Sequence, residues 1–283
     1  MRTNMKSIVL ASAIGSLLMA APALSGTRTK ISVPWDGKTE VDILVMPGNT
    51  ARLTLENGSL SISHQGSAIQ QIFSGMVKEE RLLGNWGLHF DDFNLDGYQD
   101  FAIDVGYGYG GVNVFSDIYA FNIETGQFDK ILEEVSNIDI SHEAKELHTA
   151  MKSGPSYIST NYRFDKGKPY KYIDQVVMFN GMDLATVYDK SGKITRKLVV
   201  DPTDEEMGFI EPKPAIRKVL VKRAWLYSAP DQSSKTRSYL IEGDEVELHD
   251  AEGDAYDWFK IRFNGKKTVE GWVKSKDIVE EGQ

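Results

Sequence analysis

The stretch Phe90-Asp91-Asp92-Phe93-Asn94-Leu95-Asp96-Gly97-Tyr98-Gln99-Asp100-Phe101-Ala102-Ile103 decides how the rest of this chain is read. It places Asp92, Asn94, Asp96 and Asp100 at the first, third, fifth and ninth positions of a D-x-N-x-D-G-x-x-D loop. A hard cation needs several oxygens on one small sphere, and alternate residues of a tight loop point that way, while Gly97 permits the turn that brings the Tyr98 carbonyl inward. Calcium is therefore the expected cofactor, with Asp92, Asn94, Asp96, Tyr98 and Asp100 as its ligands; the alternative is a solvated acidic turn without metal. Ile103 stands where an EF-hand carries its bidentate Glu, and Asp100 to Ile103 reads as a strand and not as an exiting helix. A loop of this kind joins strands.

Outward from the loop, β-like runs alternate with glycine turns. Arg52 to Leu55 and Leu60 to Ser63 flank Asn57-Gly58, a hairpin signal. Ile118 to Ile123 precedes Thr125-Gly126, Ser156 to Phe164 precedes Lys166-Gly167, Gln175 to Phe179 precedes Asn180-Gly181, and Leu184 to Tyr188 precedes Ser191-Gly192. Antiparallel meanders follow, and an all-β fold, either a small propeller-like domain or a sandwich. Only Ala68 to Leu83, with Ile69, Ile72, Phe73, Met76 and Val77, and Glu143 to Met151 have spacing that fits amphipathic helices.

At the N-terminus Arg2 and Lys6 precede an apolar stretch from Ile8 to Ala21 and the A-x-A-type sequence Ala21-Pro22-Ala23, so residues 1–25 are expected to be a cleaved signal peptide and the protein periplasmic. No later stretch is long enough to span a bilayer. The segment carries two basic residues and no acidic one, so its removal takes the formal charge from −9 to −11. Such a surface repels nucleic acid and anionic lipid and steers towards a basic partner. Cysteine is absent, which excludes disulfides, thiolate metal sites and a Cys nucleophile.

Around Asp201 the pattern breaks into an acidic, proline-punctuated stretch ending in Glu211-Pro212-Lys213-Pro214. This predicts a domain over 26–205, a linker over 206–214 and a second domain over 215–283. The second holds five short β-like runs, Lys218 to Val221, Trp225 to Tyr227, Ser238 to Ile241, Glu245 to His249 and Trp258 to Phe263, followed by Gly271-Trp272-Val273, enough for one small barrel.

The loop resembles the calcium loops of FG-GAP-type β-propeller repeats. Its order, followed by the glycine-rich Val105 to Phe115, by Asp117 to Lys130 and by the Tyr-rich hairpin Tyr157 to Phe179, resembles a family of periplasmic immunity proteins. That resemblance implies a small propeller-like domain that binds a peptidoglycan-degrading, lysozyme-like effector and blocks its cleft; the acidic charge of the chain adds the expectation that this effector is basic. Tyr107 and Tyr109, set among four glycines, are the candidate contacts, either projecting or packed inward. The tail is similar to bacterial SH3-type domains in Ser228-Ala229-Pro230, Gly243-Asp244-Glu245-Val246, Trp258-Phe259-Lys260-Ile261 and Gly271-Trp272-Val273, implying an SH3-like barrel. Arg223-Ala224-Trp225-Leu226-Tyr227 departs from the family's common L-N-V-R stretch. Trp225, Tyr227 and Trp258 form either an aromatic groove or half-buried barrel aromatics.

Cell-wall hydrolases also carry such tails, so an enzyme is the natural competitor. No G-x-S-x-G, H-E-x-x-H or phosphate-binding glycine loop occurs, and His64, His89, His142, His148 and His249 are scattered. Glu79, Glu80, Asp91 and Asp92 could supply a carboxylate pair for glycoside hydrolysis, but spacing does not place them in one cleft. The expectation is a binding protein: an immunity inhibitor of a wall hydrolase, or alternatively an envelope or peptidoglycan-binding SH3-type module without inhibitory role.

Overall fold

The computed structural model describes residues 6–9, 17–19, 28–34, 38–64, 68–73, 85–178, 181–201 and 211–279. Among these there is no α-helix; every regular element longer than one turn is a strand. The chain divides into two compact units, residues 1–151 with 163–169, and residues 152–162 with 170–283. The expected signal segment lies outside the described residues except for two short strands, and the expected linker is described only from Glu211 onward.

The first unit contains β1 (Lys6–Val9), β2 (Leu17–Met19), β3 (Thr29–Pro34), β4 (Lys38–Met46), β5 (Asn49–Glu56), β6 (Ser59–His64), β7 (Gln70–Phe73), β8 (Asn85–Asp91), β9 (Asp100–Gly108), β10 (Asn113–Asn122), β11 (Gln127–Ser136), β12 (Asp139–Ser141) and β13 (Glu146–Ser153). One sheet has the order β1-β3-β8-β9-β10-β11, another β2-β4-β5-β6-β7. Asn57-Gly58 makes the expected hairpin, pairing Glu56 with Ser59 and Leu53 with Ile62. Both turn residues have positive φ, the conformation that a two-residue hairpin turn demands.

Alternation along each strand sends every second side chain into one shared core. Ile31, Val33, Leu88, Phe90, Phe101, Ile103, Tyr119 and Phe121 come from the six-stranded sheet, and Val41, Ile43, Leu53, Leu55, Leu60 and Ile62 from the five-stranded one. Each fully buried Leu or Phe among them contributes about 2 kcal/mol of transfer free energy. The unit is thus a sandwich of two large sheets. The propeller expectation is corrected: hairpin turns fix which strands are neighbours but not how many share a sheet, and these sheets have five and six strands over a common core instead of separate blades.

The helical expectations are corrected as well. Glu146–Ser153 is a strand whose first four residues are all buried, so its apolar pattern reports burial on two faces and not a helical stripe. Gln70–Phe73 is an edge strand, and the remainder of the stretch to Leu83 lies outside the described residues apart from Ala68 and Ile69.

The strands β14 (Ser156–Asp165) and β15 (Lys168–Val177) belong mainly to the second unit, with residues 163–169 around their turn in the first, and are followed by β16 (Asp183–Tyr188) and β17 (Ile194–Val200); β15, β16 and β17 form an antiparallel meander. The tail supplies β18 (Ile216–Lys218), β19 (Ala224–Tyr227), β20 (Lys235–Leu240), β21 (Glu245–Glu252), β22 (Trp258–Asn264) and β23 (Thr268–Lys274), in the order β18-β21-β22-β23-β19-β20. Among the described residues the two end strands of that order, β18 and β20, are not hydrogen-bonded to each other, so the six strands form one sheet that no ladder closes. Its core of Leu226, Leu240, Val246, Leu248, Phe259, Ile261 and Val273 also takes in Met178, Met182 and Val199, which precede the tail.

Candidate functional site

The acidic loop leaves β8 at Asp91 and enters β9 at Asp100. Leu95 and Gly97 both have positive φ, which gives the loop its sharp path, and the Gln99 amide donates to the Val45 carbonyl at 2.9 Å. Inside the loop the acids accept from backbone amides. Asp92 accepts from Asp96 N (3.0 Å) and Gly97 N (2.8 Å), Asn94 Oδ1 accepts from Asp96 N (3.1 Å), and Asp96 Oδ1 accepts from Tyr98 N (3.0 Å). Asn94 Nδ2 donates to Asp96 Oδ2 at 2.8 Å. Asp100 is 0 % exposed and takes three amides, Phe93 N and Asn94 N on Oδ2 and Phe121 N on Oδ1.

These positions fit a cation in part. Asp92 and Asn94 turn one oxygen each towards the same Asp96 amide, so those oxygens lie close together. Burial pushes the carboxyl of Asp92 up and that of Asp100 well up, and the neighbouring loop carboxylates push them further, while His142 pulls Asp92 down. A cation would relieve that repulsion. Against this, no group of three or more His, Cys, Asp or Glu side chains among the described residues converges as a ready metal site, and both Asp100 oxygens already serve amides. The turn at Gly167, with φ +74°, comes up to the loop: a Cβ there would stand 3.3 Å from Asn94 Nδ2.

Four residues beyond Asp100 along β9, a second polar group is buried. Asp104 accepts from Ser116 Oγ (2.9 Å), from His89 Nε2 (2.8 Å) and from Lys30 Nζ (3.2 Å). A Cβ on Gly87 would overlap the Asp104 carboxylate, which is why the strand carries glycine there. His89 Nδ1 has no partner and is buried. A proton on it would be an unsatisfied buried donor, so burial holds His89 below its ordinary pKa despite the bond to Asp104. Of the carboxylate pairs considered for hydrolysis, Asp91 bonds His142 Nε2 at 2.7 Å, and Glu79 and Glu80 lie outside the described residues.

Tyr109 stands at the tip of the glycine-rich turn, 51 % exposed and with φ +54°, beside exposed Val112; Tyr107 is half-buried in β9. In the tail, the three aromatics separate. Tyr227 and Trp258 are both buried and meet edge to face, ring centroids 4.8 Å apart. Trp225 is half-buried and pairs instead with Tyr239, at 5.4 Å and 43 % exposed. Lys235 Nζ lies 3.9 Å from the Trp225 centroid, and the Arg223 guanidinium lies 4.9 Å from that of Tyr239. The result is a cationic, aromatic face on an acidic protein. Sequence reading missed Tyr239, Lys235 and Arg223; the signal was the alternation Lys235-x-Arg237-x-Tyr239, but the partner of Trp225 emerges only from the β19–β20 register.

Residues 223–279 match the family described as bacterial SH3 domain. No curated protein matches the chain. A solved structure described as that of a Xanthomonas type IV secretion system related protein is similar at 12 % identity, covering 68 % of this chain and 97 % of the other, with a TM-score of 0.31. The tail is therefore a bacterial SH3 domain following an all-β region. Among the described residues no helix is long and apolar enough to cross a membrane.

Proposed function

We propose that this chain is a periplasmic binding protein, not an enzyme, whose SH3 domain holds it to a cell-wall polymer. The observation that carries this reading is the pair of half-buried Trp225 and exposed Tyr239, flanked by Arg223 and Lys235. Aromatic faces stack on sugar rings or peptide planes while the two cations beside them attract carboxylates. Purified peptidoglycan is expected to pull the mature protein out of solution, and Trp225→Ala to leave at least about fivefold more of it unbound, a loss of roughly 1 kcal/mol. Equal pelleting of the variant contradicts this assignment.

The loop from Asp92 to Asp100 supports calcium as a structural cofactor, with Asp92, Asn94, Asp96 and the Tyr98 carbonyl as the groups that would hold it and Asp100 bracing the loop. Binding to the folded state alone raises stability by about 2.7 kcal/mol at a hundredfold excess over Kd. The melting temperature is expected to rise in millimolar calcium and fall with chelator, and Asp96→Ala to abolish the response. A wild type that melts identically in both conditions rules the cofactor out.

Exposure of Tyr109 and Val112 on a glycine-rich tip favours a second reading, in which the first unit binds and blocks a basic wall hydrolase. The net charge of −9 over the full chain favours fast encounter with such a partner.

A further inference from the structure

A second face of the tail, centred on β21 and β22, has a different character from the surroundings of Trp225 on β19. The outer side of β21, β22 and β23 and the adjoining β17 enclose a groove of about 310 Å³. Arg196, Lys197, Lys260 and Arg262 line it, together with Asp250 and Glu270. Lys197 bridges to Asp250 at 3.2 Å, and Arg262 donates to Glu270 Oε1 through Nε (2.9 Å) and Nη2 (2.7 Å). Arg196 pairs with Glu211, outside the groove. Lys260 makes no ion pair within 4.0 Å among the described residues, and acts on Glu270 only at longer range, as does His249 in the same lining. Arg196 and Lys197 also lie outside residues 223–279, so the groove arises from the way the preceding meander packs on the domain and not from the SH3 sequence alone.

The charges choose among ligands. Four cations attract carboxylates, and Lys260 and the free edge of Arg262 remain to meet them. A polyanion such as phosphate would also meet Asp250 and Glu270, and repulsion from those two would cancel much of the gain. A ligand that brings its own ammonium group turns the same two carboxylates into partners. The volume sits at the small end of small-molecule sites.

We infer that this groove binds a short acidic peptide with free termini, its carboxylates on Lys260 and Arg262 and its amino group on Asp250 or Glu270. The site is independent of the wall contact proposed at Trp225. Titration of the isotopically labelled mature protein with the tripeptide Gly-Glu-Gly, followed by amide chemical shifts, tests it. Saturable shifts are expected in β17, β21, β22 and β23. Acetylating and amidating the peptide is expected to weaken binding about tenfold, as is Lys260→Gln, whose melting temperature should match wild type. Arg196→Gln serves as a second variant and should also weaken binding, while Trp225→Ala should leave it unchanged. Inorganic phosphate binding as tightly as the free tripeptide, the capped peptide binding equally well, or Lys260→Gln binding normally overturns the assignment.

Discussion

Replacing Asp100 by Ala is expected to cost roughly 3 to 6 kcal/mol of folding stability, whether or not calcium is present. The carboxylate accepts from the amides of Phe93, Asn94 and Phe121, and each loses its acceptor in an interior that water reaches poorly. An unmet buried donor costs about 1 to 3 kcal/mol. Phe121 sits in the sandwich core, so the loss reaches beyond the loop into β10. The checking measurement is the urea midpoint of the variant in chelator, beside that of Asp96→Ala. Asp96 is less buried and accepts from one backbone amide, so its replacement should cost far less in chelator while removing the calcium response. An Asp100→Ala protein as stable as wild type in chelator would show that these amides find water or other acceptors.

The second large effect is expected at Asp104, where Asp104→Ala should lower stability by roughly 3 to 5 kcal/mol by stranding Lys30, His89 and Ser116. The same cluster sets an acid limit. Burial keeps folded His89 neutral at pH values where an unfolded histidine, with a pKa near about 6.5, takes a proton. The unfolded state then binds more protons, and stability falls as pH drops through that value. For Asp104, burial pushes the carboxyl up, but the bonds from His89, Lys30 and Ser116 outweigh it and hold the group below the ordinary carboxylate range. Its contribution is complete above about pH 3.9 and is lost as pH falls on towards the folded pKa. Both steps have the same sign. Urea midpoints at about pH 7, about pH 5 and about pH 3 should therefore decline in two stages in wild type, and the lower stage should flatten in Asp104→Ala. A wild-type midpoint constant across that range contradicts the account.

Local signals were read correctly wherever one residue dictates one backbone conformation. Asn57-Gly58 turns a hairpin, Gly97 bends the acidic loop, and Gly271-Trp272-Val273 lies in the last strand of the SH3 domain. Long-range choices were not legible. Nothing in Phe101 or Leu53 says that the sheets holding them face each other, so the residues left sandwich and propeller open and the resemblance alone favoured the propeller. In Glu146-Leu147-His148-Thr149, burial on both faces erased the alternation that marks a strand. The loop acids were legible as residues, but the engagement of Asp100 by three amides depends on Phe121, twenty-one positions away. Tyr239 and the groove residues were hidden for the same reason, because register and packing, not spacing, bring them together.

The chain passes out of the first compact unit after Met151, returns to it for Arg163–Pro169, and leaves again. No single cut in the polypeptide can divide the two units cleanly: a fragment ending at Met151 lacks the Gly167 turn beside Asn94, and one beginning after Pro169 lacks residues 152–162. A truncation that is to keep either unit whole must therefore retain residues 152–169.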